Sequence, residues 1–151
     1  MGYKQTPDLA TQVRRQASES EKTAGASVLV VEDHEDSRLM LRTLLEFYGA
    51  NVVEAENGEM AIALAANMHL DLILMDGSLP LLDGLETTRR IRKLASMRNV
   101  PIVFVSGHAQ PAAQARAFAA GCTDYLVKPI DFGEWDRVLE RHLAPGKAIQ
   151  P

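Results

Sequence analysis

A tandem of acids, Glu32-Asp33, a third carboxylate at Asp76, a hydroxyl at Ser106 and an ammonium at Lys128 are the side chains whose chemistry could be combined. Carboxylates packed within a few ångströms repel and raise one another's pKa, so such a cluster calls for a hard divalent cation. Magnesium is the natural occupant, because it takes oxygen ligands in octahedral geometry, keeps several waters and also binds phosphate oxygens. Taken singly, each residue has an ordinary explanation. Asp33 could cap the helix that follows, with Asp36 at its third position. Asp76 could be a solvated loop acid, Ser106 a turn former and Lys128 a surface charge. None of these explanations requires them all to end apolar runs.

They do end such runs. Val28-Leu-Val-Val31 leads into Glu32-Asp33, Leu72-Ile-Leu-Met75 into Asp76, Ile102-Val-Phe-Val105 into Ser106, and Tyr125-Leu-Val127 into Lys128-Pro129. Continuous aliphatic runs of this length are the pattern of parallel strands buried on both faces, and ligands of open α/β sheets bind outside the carboxyl ends of the strands. Asn51-Val-Val-Glu-Ala55 supplies a fifth strand. Helical periodicity predicts helices over about 35–48, 57–67, 84–96, 111–120 and 132–143, with Gly49 and Gly121 at helix ends and Asp83-Gly84 as a tight turn. This alternation predicts a three-layer, doubly wound α/β sandwich.

Composition agrees and removes rivals. The chain has 151 residues, 46% of them hydrophobic, enough for one aliphatic core. No apolar run approaches the roughly 18 residues of a membrane span and no secretory signal is present, so a cytoplasmic protein without membrane contact is expected. The lone Cys122 permits no internal disulfide and is expected to be a small buried hydrophobe. The first 26 residues carry Lys4, Arg14, Arg15 and Lys22 against Asp8, Glu19 and Glu21, within a chain of net charge −4. The rest is therefore acidic without a basic stripe, which argues against nucleic acid.

Three segments follow: a polar N-terminal tail (1–26), a folded unit (27–144) and a C-terminal tail (145–151) introduced by Pro145-Gly146. In the tail, Thr6-Pro7-Asp8 before Leu9, Val13 and Ala17 permits a short helix. Met1-Gly2 with Thr6 matches a short acylation pattern, for which chance is the better explanation beside Tyr3. Met40, Leu41, Leu44 and Tyr48 are expected to face the core, with Leu39 outward between Arg38 and Arg42. Trp135 is expected to be half buried. His34, His69 and His142 show no metal-ligand spacing.

The joint order of Val-Val-Glu32-Asp33, Leu-Met-Asp76-Gly-Ser-Leu-Pro80, Asp83-Gly84, Val-Ser106-Gly107 and Asp124-Tyr125-Leu-Val-Lys128-Pro129 resembles the receiver domain of two-component response regulators, in particular the stand-alone chemotaxis type. The resemblance covers about residues 27–143. It implies a flavodoxin-like parallel sheet in the order 2-1-3-4-5 with helices on both faces. It also implies phosphorylation of Asp76 by a histidine kinase or histidine phosphotransfer protein. By the same resemblance Asp33, Asp76 and the Ser78 carbonyl coordinate Mg²⁺ and Glu32 acts through water. Ser106 and Lys128 take the phosphoryl oxygens, Ser106 and Tyr125 form the switch, and Ser78 and His108 set the lifetime of the acyl phosphate. Lys128-Pro129 is implied to be cis, and Leu79, in place of the usual methionine, is a volume-conserving swap.

The chemistry is consistent with that assignment, since phosphoryl transfer needs an aligned nucleophile and neutralisation of the equatorial oxygens. The implied function is signalling rather than turnover. With no output domain after Leu143, the signal is expected to leave through an unknown downstream protein, and the donor is expected to dock on the Leu39 face. Two alternatives stay open. One is a scaffold whose contacts ignore phosphorylation, and the other is a receiver excised from a hybrid histidine kinase.

Overall fold

The computed structural model describes residues 7–21 and 25–143. The Met1-Gly2 pattern with Thr6 and the Pro145-Gly146 stop lie outside the described residues. Five strands, β1 (Ser27–Val31), β2 (Asn51–Ala55), β3 (Leu72–Asp76), β4 (Ile102–Ser106) and β5 (Asp124–Val127), form one sheet in the order β2-β1-β3-β4-β5. All four pairings are parallel. The flavodoxin-like order expected from the sequence is the one observed.

Burial follows position in the sheet. The central strands β1, β3 and β4 are buried at every residue, whereas the edge strands β2 and β5 include half-exposed positions. Side chains alternate between two apolar layers, as the two-residue strand period demands. Leu29, Val31, Ile73, Met75, Ile102 and Phe104 pack on one face, beneath α3 (Gly58–Asn67), α4 (Gly84–Arg92) and α5 (Pro111–Ala120). Val28, Val30, Leu72, Leu74, Val103 and Val105 pack on the other, beneath α2 (Glu35–Phe47) and α6 (Phe132–His142). Helix starts are locally encoded: Asn57, Asp83 and Asp131 accept the amides of Met60, Glu86 and Glu134 at 2.8, 2.8 and 3.0 Å.

The N-terminal segment contains α1 (Leu9–Glu21), which packs against α3 and β2 and buries Val13. Asp8 caps it by accepting the Thr11 amide at 2.8 Å, so Pro7 precedes the helix instead of opening it. No described helix is long and apolar enough to cross a membrane.

Three expectations need correction. The helix expected over 84–96 stops at Arg92, and a separate 3-10 turn covers Ala95–Met97. The Arg92 guanidinium folds the chain back, donating to the carbonyls of Met97 and Val100, each at 2.6 Å, and to that of Gly121 at 2.9 Å. Met40 is 48% exposed, because the inward stripe of α2 runs through Leu41 and Leu45. Trp135 is fully buried with Val138 and Leu139 against the sheet. Asp33 does not cap α2: His34 holds the cap position, and its side chain makes no capping bond either.

Cys122 is buried, and burial pushes its thiol up to about 12. Asp124, at the far end of β5 from Lys128, accepts from Arg137 and Arg141 at 3.5 Å and lies 3.2 Å from the His142 ring, which ties the last turn of α6 to the sheet.

Candidate functional site

With all strands parallel, their carboxyl ends share one edge, and the order reverses beside β1, which opens a crevice between the ends of β1 and β3. Glu32 follows β1 and is 1% exposed; Asp76 ends β3 and is 4% exposed. Lys128, just past β5, reaches across to both, with Nζ 3.1 Å from Glu32 Oε1 and 3.5 Å from Asp76 Oδ1. Its own amide donates to the Ser106 carbonyl at 2.8 Å, which anchors the start of the Lys128-Pro129 segment, whose peptide bond is cis. The acids are further held by backbone donors: the His34 amide to Glu32 Oε2 at 3.2 Å and the Ser78 amide to Asp76 Oδ1 at 3.0 Å.

One ammonium among three carboxylates leaves excess negative charge. Burial, followed by the hydrogen bond with Glu32, pushes the Asp76 carboxyl up to about 6. Burial would also raise Glu32, but hydrogen bonds from Asp76, the His34 amide and Lys128 outweigh it and hold Glu32 at about 2. The two acids therefore titrate as a coupled pair. Burial lowers the Lys128 ammonium, yet Asp76 and Glu32 more than compensate, and it stays charged. Asp33 has a buried Oδ1 that accepts no hydrogen bond, and its carboxylate groups with Glu32 and His34 within 4.8 Å rather than with Asp76. Its nearest basic atom is His34 Nδ1 at 3.3 Å. An anionic oxygen that accepts no hydrogen bond, within 4.8 Å of a Glu32 oxygen, has the donor chemistry that a hard divalent cation requires.

Ser106 ends β4 beside Gly77: a Cβ on Gly77 would stand 3.1 Å from the Ser106 Oγ. The hydroxyl is 2% exposed with its residue and accepts the His108 amide at 3.1 Å. Tyr125 is half buried, stacks on Phe104 with ring centroids 6.2 Å apart, and donates its hydroxyl to the His108 carbonyl at 2.7 Å. Ser106, His108 and Tyr125 are thus joined through one loop. Ser78 and His108 are exposed at the mouth of the site.

Gly84 opens α4 directly against the chain that leaves β3, where a Cβ would run into the Asp76 carbonyl oxygen. Helix propensity favours alanine over glycine by about 1 kcal/mol. Gly84→Ala is nevertheless expected to destabilise the fold by about 2 kcal/mol, because the obstacle is backbone that cannot rotate away. Urea unfolding of the two proteins measures the sign.

Beside Lys128 lies an apolar cavity of about 210 Å³, lined by Met40, Leu41, Leu44, Pro129, Ile130 and Phe132 among others. Met40 and Phe132 in its lining are 48% and 65% exposed, and Leu39, which is not in the lining, is 57% exposed. The outward setting of Leu39 agrees with the helical period. The apolar character of the β5–α6 connection, which faces Met40, Leu41 and Leu44 across the cavity, was not anticipated, although Ile130 and Phe132 two and four residues after Lys128 carried the signal.

A family model described as the response regulator receiver domain matches residues 28–140. The polar-differentiation response regulator DivK of Brucella ovis is 33% identical over 117 residues, which cover 78% of this chain and 95% of that protein. Among solved structures, the receiver domain of the sensor histidine kinase PA1611 of Pseudomonas aeruginosa, crystallised with magnesium coordinated in its active site cleft, superposes with a TM-score of 0.75. It is 34% identical and covers 81% of this chain and 100% of its own. The receiver domain of Ssk1 of Saccharomyces cerevisiae, crystallised with the histidine phosphotransfer protein Ypd1, superposes with a TM-score of 0.72 at 26% identity, covering 79% of this chain and 89% of its own. Sheet order, the acid-lined crevice and these matches converge, and the chain belongs to the response regulator receiver domains of two-component signalling.

Proposed function

We propose that this chain is a phosphoacceptor signalling module in which Asp76 receives a phosphoryl group from a phosphohistidine of a histidine kinase or histidine phosphotransfer protein. The observation that carries the reading is the Lys128 ammonium set between two buried carboxylates, 3.1 Å from Glu32 and 3.5 Å from Asp76. A carboxylate oxygen of Asp76 attacks phosphorus, the P–N bond of the donor breaks, and the departing imidazole nitrogen takes up a proton. Lys128 then follows the charge from the carboxylate to a phosphoryl oxygen, and the Ser106 hydroxyl turns to donate to another. Glu32, Asp33, Asp76 and the Ser78 carbonyl would hold Mg²⁺, which supplies neutralisation of the phosphoryl oxygens when bound.

The response runs through the loop that joins Ser106 to Tyr125. Drawing Ser106 inward strips the His108 amide of its acceptor, and the Tyr125 hydroxyl is bonded to the carbonyl of that same residue. The loop conformation and the tyrosine therefore change together, remodelling the face formed by α5, β5 and α6. Ser78 and His108, exposed at the mouth, govern how readily water reaches the acyl phosphate. The donor docks on α2 at Leu39, and the functional unit is residues 27–144. The chain is a signalling partner and not an enzyme acting on other molecules.

Intact-mass measurement after incubation with Mg²⁺ and acetyl phosphate or phosphoramidate tests this. The wild type is expected to gain one phosphoryl mass and Asp76→Ala none. An unmodified wild type would favour a phosphorylation-independent scaffold. The likeness to the PA1611 receiver supports a second setting, a receiver belonging to a hybrid histidine kinase, with the same chemistry.

A further inference from the structure

We propose that Arg38 is a positioning residue of the phosphoacceptor site: its guanidinium holds the Glu32 backbone and thereby sets the direction in which Glu32 and Asp33 face the pocket. The inference rests on the reading of that pocket as a Mg²⁺-dependent phosphoacceptor site and adds a residue that touches neither the ion nor the phosphoryl group.

Arg38 lies in the first turn of α2, where its amide donates to the His34 carbonyl at 2.9 Å. It precedes the outward Leu39, yet its side chain is only 16% exposed, against 47% for Arg42 one turn later. Two acceptors draw it inward. Nη1 donates to the Glu32 carbonyl at 3.0 Å, and Nε lies 3.3 Å from Glu54 Oε1. Glu54 belongs to β2, in register with Val30 of β1, and its other oxygen lies 3.3 Å from Arg42 Nη1. One planar fork thus ties α2, the end of β1 and β2 together, which a single ammonium could not do.

The consequence falls on the peptide between Glu32 and Asp33. Its carbonyl and the Asp33 amide share a rigid plane, so fixing the oxygen fixes the direction in which the chain leaves Glu32. The Glu32 amide is already committed to the Ala55 carbonyl at 3.0 Å. With both main-chain groups of Glu32 bonded, its carboxylate is delivered to Lys128 Nζ at 3.1 Å and to the His34 amide at 3.2 Å. Metal sites lose about ten- to a hundredfold in affinity when such supporting groups are removed. Electrostatics alone predicts the opposite sign, because a guanidinium bonded beside the acids repels a divalent cation and its removal would tighten binding. The sign therefore separates positioning from charge.

The test titrates MgCl₂ calorimetrically into the full chain as wild type, Arg38→Ala, Arg38→Lys and the surface control Arg42→Ala. Arg38→Ala is expected to weaken Mg²⁺ about tenfold, Arg38→Lys to fall between it and wild type, and Arg42→Ala to stay within about twofold. The Mg²⁺ concentration that half-saturates phosphorylation by acetyl phosphate, read by intact mass, rises by the same factor. The rate at saturating Mg²⁺ stays within about twofold, a split that a general loss of folded protein would not produce. In EDTA, exchange of the His34 amide, which is bonded to Glu32 Oε2, is expected to quicken at least about tenfold in Arg38→Ala while that of Val103 in β4 is unchanged. Unchanged or tighter Mg²⁺ binding by Arg38→Ala overturns the proposal; if that variant does not fold, wild-type affinity in Arg38→Lys does so. A wild type that binds no Mg²⁺ would instead overturn the cation reading of the pocket, and the exchange comparison, which needs no ion, would still decide whether Arg38 holds Glu32.

Discussion

Replacing Arg92 by alanine is expected to destabilise the protein by about 3 kcal/mol, more than any surface arginine would. Its guanidinium donates to the carbonyls of Met97, Val100 and Gly121 and to the Thr123 hydroxyl, at 2.6, 2.6, 2.9 and 3.2 Å. No carboxylate is among these partners, and burial lowers its pKa. Because each unsatisfied buried acceptor costs about 1–3 kcal/mol, the loss of a shared donor is multiplied rather than averaged. Arg92→Lys recovers little of this, since a single ammonium cannot span carbonyls that a planar fork reaches together. Urea denaturation should show a lower midpoint with an unchanged slope. Mg²⁺ affinity of the folded protein should be unaffected, because these carbonyls lie at the opposite edge of the sheet from Asp76. A loss below about 1 kcal/mol would show that water replaces the guanidinium.

The opposite sign is expected for Asp76→Asn in the absence of metal, with a gain on the order of 1–3 kcal/mol at pH 7. A carboxyl raised in the folded state favours folding only while it is protonated. The penalty therefore grows as pH rises from 3.8 to about 6 and is fully present at neutrality. Glu32 has the reverse linkage: held at about 2, it contributes stability above the ordinary carboxylate range and loses it only in strong acid. The amide keeps a hydrogen bond to Glu32 without the charge, and Lys128 keeps Glu32 as its partner. Thermal melts in EDTA should show Asp76→Asn several degrees above wild type. Added Mg²⁺ should close the gap by stabilising the wild type alone. A variant no more stable than wild type in EDTA would mean that the crowded acids impose no strain.

These two residues also mark how far the sequence was legible. Asp76 was found because a solvent-averse strand terminates in it, and the same logic located Glu32, Ser106 and Lys128 at the ends of runs whose continuity reflects helices on both faces. Arg92 was invisible for the converse reason. Nothing local in Arg92-Lys-Leu-Ala-Ser96 stops a helix; the stop comes from carbonyls of a later loop that the guanidinium gathers in. The phase of α2 was legible to within one position, and that position moved Met40 from the core to the surface beside Lys128. His34 shows no metal-ligand spacing in the sequence, and its 3.3 Å approach to Asp33 is a matter of local backbone geometry. Only the turn at the end of β1 brings its ring back over Asp33.

Cys122 offers an internal reporter. Buried between α5 and β5 with its thiol raised to about 12, the sole cysteine of the chain is almost wholly unreactive toward alkylating reagents while the domain is closed. Labelling at neutral pH must then wait for molecules that open, and its rate reports the open population under native conditions without denaturant. Ions, phosphodonors and partner proteins that favour the closed form would each slow the same covalent clock.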